Sequence, residues 1–412
     1  MSVLAAATIL LLVPAIDWPQ WRGPSGQNYA AADADPPVEW SANRNVAWKA
    51  AVPGEGHASP TVVGGRVVLA LADRAGRSVG VVAYDADSGE LLWSRTSASR
   101  VTFPRMHPKN SHASPTVASD GSRLFASFLY DDAIHVFGYD LDGTELWKAT
   151  AGPFRPQRFQ FGYGASPTVY RDTVIVANES DGPAGAGLIA FDAATGAVRW
   201  KRERRGTITF GSPILGTPGG TPQLLIAGGG NIAGFDPTTG KPLWSAGGFA
   251  TAACGTPVWE GSTVFASGGY PEQITMAVDS GTGRVVWSNS VKCYEQSMLI
   301  YEGVLYGVDE SGVLNAWDAA SGERLFRERL GGDQSASLLL ATGGTAGPRI
   351  YHTNEVGETF VFRAGRTYEP LAKNELGDVT FATPSPVGSA LFTRVGIREG
   401  GEVQHYLFRL EE

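Results

Sequence analysis

Cysteine is almost missing from this chain: Cys254 and Cys293 are the only two in 412 residues. They are never adjacent and form no Cys-x-x-Cys, so neither thiolate zinc sites nor a dense disulfide framework can organise the fold. Charge of one dominant sign is also lacking, since 33 Lys plus Arg stand against 41 Asp plus Glu for a net charge of −8, spread along the sequence. That balance argues against nucleic-acid binding. Familiar catalytic signatures are absent too: there is no Gly-x-Ser-x-Gly elbow, no phosphate-binding loop and no His-Glu-x-x-His helix. No internal apolar run approaches the ~20 residues that span a bilayer. Only residues 1–16 are strongly apolar, with Val3 to Val13 followed by small residues around Ala15. That segment reads as a signal peptide even though its positively charged start is missing. With no cysteine near the cleavage point to carry a lipid, the expectation is an exported protein, periplasmic or extracellular, without an anchor.

Turn formers are abundant. Fifty-three Gly and 25 Pro punctuate the chain, as many short strands require. A Ser-Pro-Thr-Val-like tetrapeptide recurs from Ser59, Ser114, Ser166, Ser212, Thr256, Ser297, Ser337 and Thr383, at offsets of 40 to 55 residues. Each opens a strand. A second series follows it: Asp85, Gly89, Trp93; Asp140, Gly143, Trp147; Asp192, Gly196, Trp200; Asp236, Gly240, Trp244; Asp279, Gly283, Trp287; and Asp318, Gly322, Phe326. The Asp caps a strand end, the Gly supplies a positive φ for the turn, and the Trp offers one flat apolar ring per repeat to its neighbour. Each repeat therefore holds four strands, which is one propeller blade.

The count predicts an all-β, eight-bladed β-propeller over residues 45–412 whose blades are four-stranded and antiparallel. The last two strands, Leu391 to Val395 and Val403 to Leu410, lack a fourth partner, and Asn45 to Trp48 is an outer strand with no blade of its own. Joining them closes the ring and removes the open edges. A β-solenoid, the alternative at this period, does not need that terminal match. Residues 17–44 read as a leader segment packed on the propeller.

These hairpins and strand openers resemble the pyrroloquinoline-quinone-like repeat family of β-propellers, and Asp17-Trp18-Pro19-Gln20-Trp21-Arg22-Gly23-Pro24 resembles the leader of secreted bacterial members. The hairpin resembles that family's tryptophan-docking motif, with Trp48, Trp93, Trp147, Trp200, Trp244 and Trp287 as its rings. The family contains calcium-and-quinone dehydrogenases as well as cofactor-free scaffolds, such as the periplasmic propeller of the outer-membrane β-barrel assembly machinery. The resemblance therefore implies a binding or scaffold protein with no catalytic residues. A quinone-dependent oxidoreductase using calcium is the alternative. Against the latter, no two cysteines are adjacent to close a disulfide ring over a cofactor, and carboxylates such as Glu179, Asp181 and Asp333 show no spacing of a calcium cage.

Ligand binding in a propeller concentrates where loops surround one end of the central channel. Two such loops are long, from Ser94 to Ala113 and from Lys148 to Ala165, and they carry Arg105, His107, Lys109, His112, Arg155 and Arg158 among aromatics. That mixture suits either a docking surface or a channel plug held by cation–π contacts. His57 and His112 both lie two residues before a Ser-Pro, and Glu295 holds the same place in the sixth repeat, so all three are expected on the channel rim. Cys254 and Cys293 both lie near the start of inner strands. A disulfide between neighbouring blades and a pair of reduced, buried thiols both fit that placement. The expected partner is a protein or an exported polymer, bound by a monomer without metal.

Overall fold

The computed structural model describes residues 17–182, 187–204 and 208–412, so residues 1–16, expected to be a signal peptide, lie outside the described residues. Among the described residues, eight four-stranded antiparallel sheets follow one another along the chain. Blade one is typical, with strands Thr61–Val63, Arg66–Asp73, Ser78–Asp85 and Leu91–Ser99 running from the channel outward. Its two middle strands are buried on both faces, because each blade is sandwiched between two others. The exposed positions fall on the outermost strand.

Blade eight is built from both ends of the chain. Val46–Ala51 pairs antiparallel with Glu402–Leu410, which pairs with Ala390–Glu399, and that strand pairs with Ser385–Val387. The predicted closure is thus the observed one. Its core merges with blade one through Val67, Leu69, Tyr84, Phe392 and Phe408.

Two belts lock the blades together. On the outer belt, Asp85 Oδ1 accepts the backbone N–H groups of Asp87 and Ser88 at 3.1 and 2.8 Å, and Gly89 follows with φ +73°. Trp48, from the preceding blade, lies flat on that glycine, where a Cβ would fall 2.6 Å from the ring. Its indole N–H donates to Ala86 O at 3.1 Å. Trp93, Trp147, Trp200 and Trp287 likewise cover Gly143, Gly196, Gly240 and Gly322 of the blade that follows each. Trp244 departs from the pattern. Its N–H donates at 2.6 Å to Gln223 of its own blade, and Gly283 of the next blade faces Ser245 instead.

The inner belt runs round the channel. Ser59 N–H donates to Thr116 Oγ1, Thr116 N–H to Ser166 Oγ, and Ser166 N–H to Ser212 Oγ, at 2.8–3.1 Å. It resumes with Thr256 to Ser297, Ser297 to Ser337, Ser337 to Thr383 and Thr383 back to Ser59, at 2.9–3.0 Å. At the remaining junction the Thr256 hydroxyl instead accepts the indole N–H of Trp21 at 3.0 Å.

Trp21 belongs to the leader, which crosses one end of the channel. Trp18 bridges to Val62, Gln20 Oε1 accepts Val169 N–H, and the buried Arg22 guanidinium donates to Gly26 O, Gln27 O and Met298 O. Asn28 donates to Leu338 O, and the Tyr29 hydroxyl to Ile300 O. Farther along, the Arg349 guanidinium is fully buried and donates to Asp35 and Pro36 O.

Candidate functional site: a cup in the channel

One register shift decides which side chains face the channel. In blade one, Thr61 pairs with Val68, whereas in blade two Ala118 takes that place opposite Phe125. The turn after the second inner strand is longer, held by Asp120 Oδ1 accepting the N–H groups of Ser122 and Arg123 at 3.0 and 2.8 Å. The Ser-Pro of blade two is therefore displaced by two residues, so that Thr116, not Ser114, joins the inner belt. As a consequence, His57 and His112 are not equivalent. Ser114 occupies the channel position, while His112 stacks on Phe103 with ring centroids 4.1 Å apart, beside a small separate cavity. Burial and the charge of Arg74 lower its pKa to about 4.

Two residues before each belt hydroxyl, the chain places one side chain on the channel wall. In blade order these are His57, Ser114, Gly164, Phe210, Cys254, Glu295, Ser335 and Phe381, and together they line a cavity of about 260 Å³. Trp21 and five belt residues, Ser59, Thr116, Ser166, Ser212 and Thr256, also line it. Since the leader closes the Trp21 side, the cavity is a cup. Its mouth is edged by His107, Lys109, Asn110, Phe161 and Tyr294.

The first long loop is strapped across that mouth. Lys109 Nζ reaches from blade one's exit loop to blade seven, 3.0 Å from Asp333 and 3.1 Å from Glu355. Burial alone would depress its pKa, but these two hydrogen bonds outweigh it and raise the value. Asn110 Nδ2 donates to Phe161 O at 2.8 Å, and its Oδ1 accepts the Ser114 hydroxyl at 2.6 Å. His107 Nδ1 accepts the Lys109 N–H at 3.3 Å, and its ring meets Phe161 edge-on. His57 stacks on Phe381 at 3.9 Å and is held neutral, its pKa lowered to about 3 by burial and then by Arg394 and His405.

On the opposite wall, burial raises the pKa of Glu295, with the charges of Glu355 and Glu310 adding to it. The Ser335 hydroxyl stands between the two carboxyls, 2.9 Å from Glu295 Oε2 and 2.7 Å from Glu355 Oε1. Cys254 and Cys293 are both free. The bridge considered between them is not formed, because they serve different places. Cys254 faces the cup beside Tyr294, whereas Cys293 is wholly buried in the core between blades five and six with Val258, Phe265, Met298 and Trp317. Burial raises both thiol pKa values to about 12.

The remaining loop cations lie away from the cup. Arg155 pairs with Asp132 at 3.2 Å and Arg158 with Asp181 at 2.9 Å, so both staple their own loop to a neighbouring turn. Arg105 is exposed. Near Arg158, aromatic rings continue outward from the cup: Phe210 to Phe161 at 5.6 Å, Phe161 to Phe159 at 5.7 Å, and Phe159 to the half-exposed Tyr270 at 5.1 Å. Sequence reasoning singled out His57, His107, Lys109 and Glu295, which do meet at the cup. It missed Trp21, Phe210, Ser335, Phe381 and the belt hydroxyls. The recurring hydroxyl at the strand opener was the available signal, and the displaced blade-two motif obscured the frame.

Calcium with a quinone would need roughly six to eight oxygen ligands around the metal. The cup offers one lining carboxylate, Glu295, while the neighbouring Glu355 is held by the Lys109 ammonium. Among the described residues no three His, Cys, Asp or Glu side chains converge on a metal position. The donor set does not fit.

A family model described as "Outer membrane protein assembly factor BamB" matches residues 23–103 and 77–328. The outer membrane protein assembly factor BamB of Burkholderia pseudomallei (strain K96243) is 26% identical over 288 residues, covering 65% of this chain. The match spans 64% of that relative's length, a little under two thirds. The crystal structure of BamB from Moraxella catarrhalis superposes with a TM-score of 0.59 at 15% identity, over 88% of this chain and 99% of that one. A europium-containing methanol dehydrogenase gives 0.65 at 12% identity, over 96% and 98%. The quinohemoprotein alcohol dehydrogenase of Comamonas testosteroni gives 0.61 at 14%, over 96% and 80%. At such identities these structures share the fold alone.

Proposed function

Because the chain belongs to the family of the outer membrane protein assembly factor BamB, within the PQQ-like repeat propellers, we propose that it is a periplasmic scaffold that docks a protein partner on its channel-mouth face. The observation that carries this reading is the aromatic path from Phe161 through Phe159 to Tyr270, which ends half-exposed beside the long loops. Aromatic rings on a rigid frame are strong anchors for protein association, since they bury large area at little entropic cost. Arg105, exposed and without an ion pair among the described residues, adds a cationic contact at the same face, so a partner segment bearing acidic and apolar residues fits it. An oxidoreductase is disfavoured by the cup's donor set.

A photo-crosslinking residue placed at Tyr270 should trap a partner in cells that export the protein, whereas one at Asp142, on a turn at the opposite end of the propeller, should not. Phe159→Ala with Arg105→Ala should weaken the Tyr270 crosslink several-fold, and Arg105→Ala alone should leave melting nearly unchanged, as exposed charges contribute little to stability. Equal crosslinking from both positions would remove the mouth-face assignment.

A further inference from the structure

We propose that the cup is a binding site for one polyhydroxylated ring of monosaccharide size, either a free sugar or the terminal unit of a glycan. Its wall is shaped for such a ring. In an eightfold array, blades four and eight stand opposite one another, so Phe210 and Phe381 lie on opposite walls of the channel. Apolar rings on opposite walls suit the C–H groups of a pyranose, with one face of Phe381 already stacked on His57. Blade three contributes no side chain: a Cβ on Gly164 would meet only Phe210 O, at 3.6 Å, so this glycine is not required by backbone packing and leaves open space. At about 260 Å³ the cup exceeds a few ordered waters, yet it falls below the ~300 Å³ at which pockets begin to take drug-sized molecules.

The polar groups ask for a partner that both donates and accepts. The five belt hydroxyls lining the cup each accept an N–H from backbone or from Trp21. Among the described residues none has a protein acceptor for its own proton, so five O–H donors are available to ligand oxygens. On blades six and seven the need is reversed. The single Ser335 proton cannot serve both Glu295 and Glu355, and Glu355 is also held by the Lys109 ammonium, so the carboxyl that lines the cup, Glu295, has acceptor capacity for a ligand hydroxyl. A carboxylate ligand or a quinone, having acceptors only, meets the Glu295 carboxyl there. An organic amine leaves the belt donors without acceptors and faces Lys109. Hydroxyl groups satisfy both sides.

The test is calorimetric titration of the intact exported chain with hexoses, N-acetylhexosamines and cyclitols, paired with saturation-transfer NMR on the sugar. The expected result is saturable binding near the millimolar range, as a few hydrogen bonds and ring contacts supply. Glu295→Gln, which keeps the shape, should weaken it about tenfold, equivalent to about 1.4 kcal/mol. Gly164→Leu should abolish it at unchanged melting temperature. Should Gly164→Leu misfold, Phe210→Ala takes its place. A short oligosaccharide ending in the same sugar separates a glycan terminus from a free ligand. Arg105→Ala and Phe159→Ala should leave sugar binding intact, so loss of partner docking and loss of sugar binding read out separately. The proposal is overturned if no sugar in the panel saturates, if Gly164→Leu binds as well as the parent chain, or if an amine or a carboxylate displaces the sugar.

Discussion

The two rings that surround the channel lie two residues apart in every blade, yet they are composed by opposite rules. The belt ring is uniform: Ser59, Thr116, Ser166, Ser212, Thr256, Ser297, Ser337 and Thr383 all carry a hydroxyl, and most hold the preceding blade through it by accepting its N–H. The wall ring is a different residue almost every time, from His57 through Gly164 and Phe210 to Glu295. Positions that must make the same joint converge on the same chemistry. Positions that face an occupant are free to differ, and their differences describe it. The outer tryptophan belt follows the first rule and, at Trp244, breaks it.

The largest effect should come from the one joint that no repeat can replace. Removing residues 17–51 takes away the strand Val46–Ala51, leaves Glu402–Leu410 as an open edge and uncovers Gly89, where Trp48 had lain. We expect the cooperative melting transition to disappear, since an unpaired, half-buried edge loses both its ladder and its apolar cover. Removing only residues 17–28 should lower the transition while keeping it cooperative. That cost is real, because Trp18 and Arg22 are both buried. If the two truncations melt alike, closure by the terminal strands does not carry the stability assigned to it.

A smaller and sharper comparison sets a regular tryptophan joint against the irregular one. Gly196 and Gly283 have the same φ of +70°, so an alanine at either pays a similar backbone strain. The space differs: a Cβ on Gly196 lies 2.6 Å from Trp147, whereas on Gly283 it meets Ser245 O at 3.0 Å. Gly196→Ala should therefore destabilise more than Gly283→Ala in urea unfolding. Trp147→Ala alone should cost about 3–5 kcal/mol, the range for emptying a large buried aromatic site. In that background Gly196→Ala should fall to the level of Gly283→Ala, a coupling that a double-mutant cycle reads directly. Absence of coupling would mean that the ring and the glycine do not form one joint.

How far the sequence spoke for itself follows the same division. Blade number, terminal closure and the Asp–Gly–Trp hairpins were legible, because a repeated local need leaves a repeated residue. The cup was legible only in part. His57 and Glu295 could be placed by counting from the strand opener, but two extra residues in the turn Asp120–Ser122 moved the blade-two frame, so that His112 stood in for Ser114. Lys109 was visible as a loop cation, yet its bonds to Asp333 and Glu355 join residues more than 220 positions apart. The same holds for Trp21 beneath Thr256, 235 positions away. Contacts of that kind are set by the closed ring and leave no local pattern.

The smallest expected effect separates the two cysteines, which the sequence places in similar positions and the fold does not. Both thiols are protonated at neutral pH, since burial lifts each to about 12, and a protonated thiol is a poor nucleophile. Neither should react with a disulfide reagent in the folded protein, and both should react after denaturation without reductant, because no bridge joins them. Stability should then tell them apart. Cys293 fills the core between blades five and six so closely that a Cβ on Gly307 would lie 2.6 Å from its sulfur, and Cys293→Ala leaves a void there that should cost on the order of 1 kcal/mol. Cys254 borders the cup, where the lost volume opens into space already present. Cys254→Ala should consequently change stability by less than Cys293→Ala, with Tyr294 released from its thiol neighbour. Equal losses at the two sites would show that the wall ring is packed as tightly as the blades, and the contrast between joint and lumen would fail.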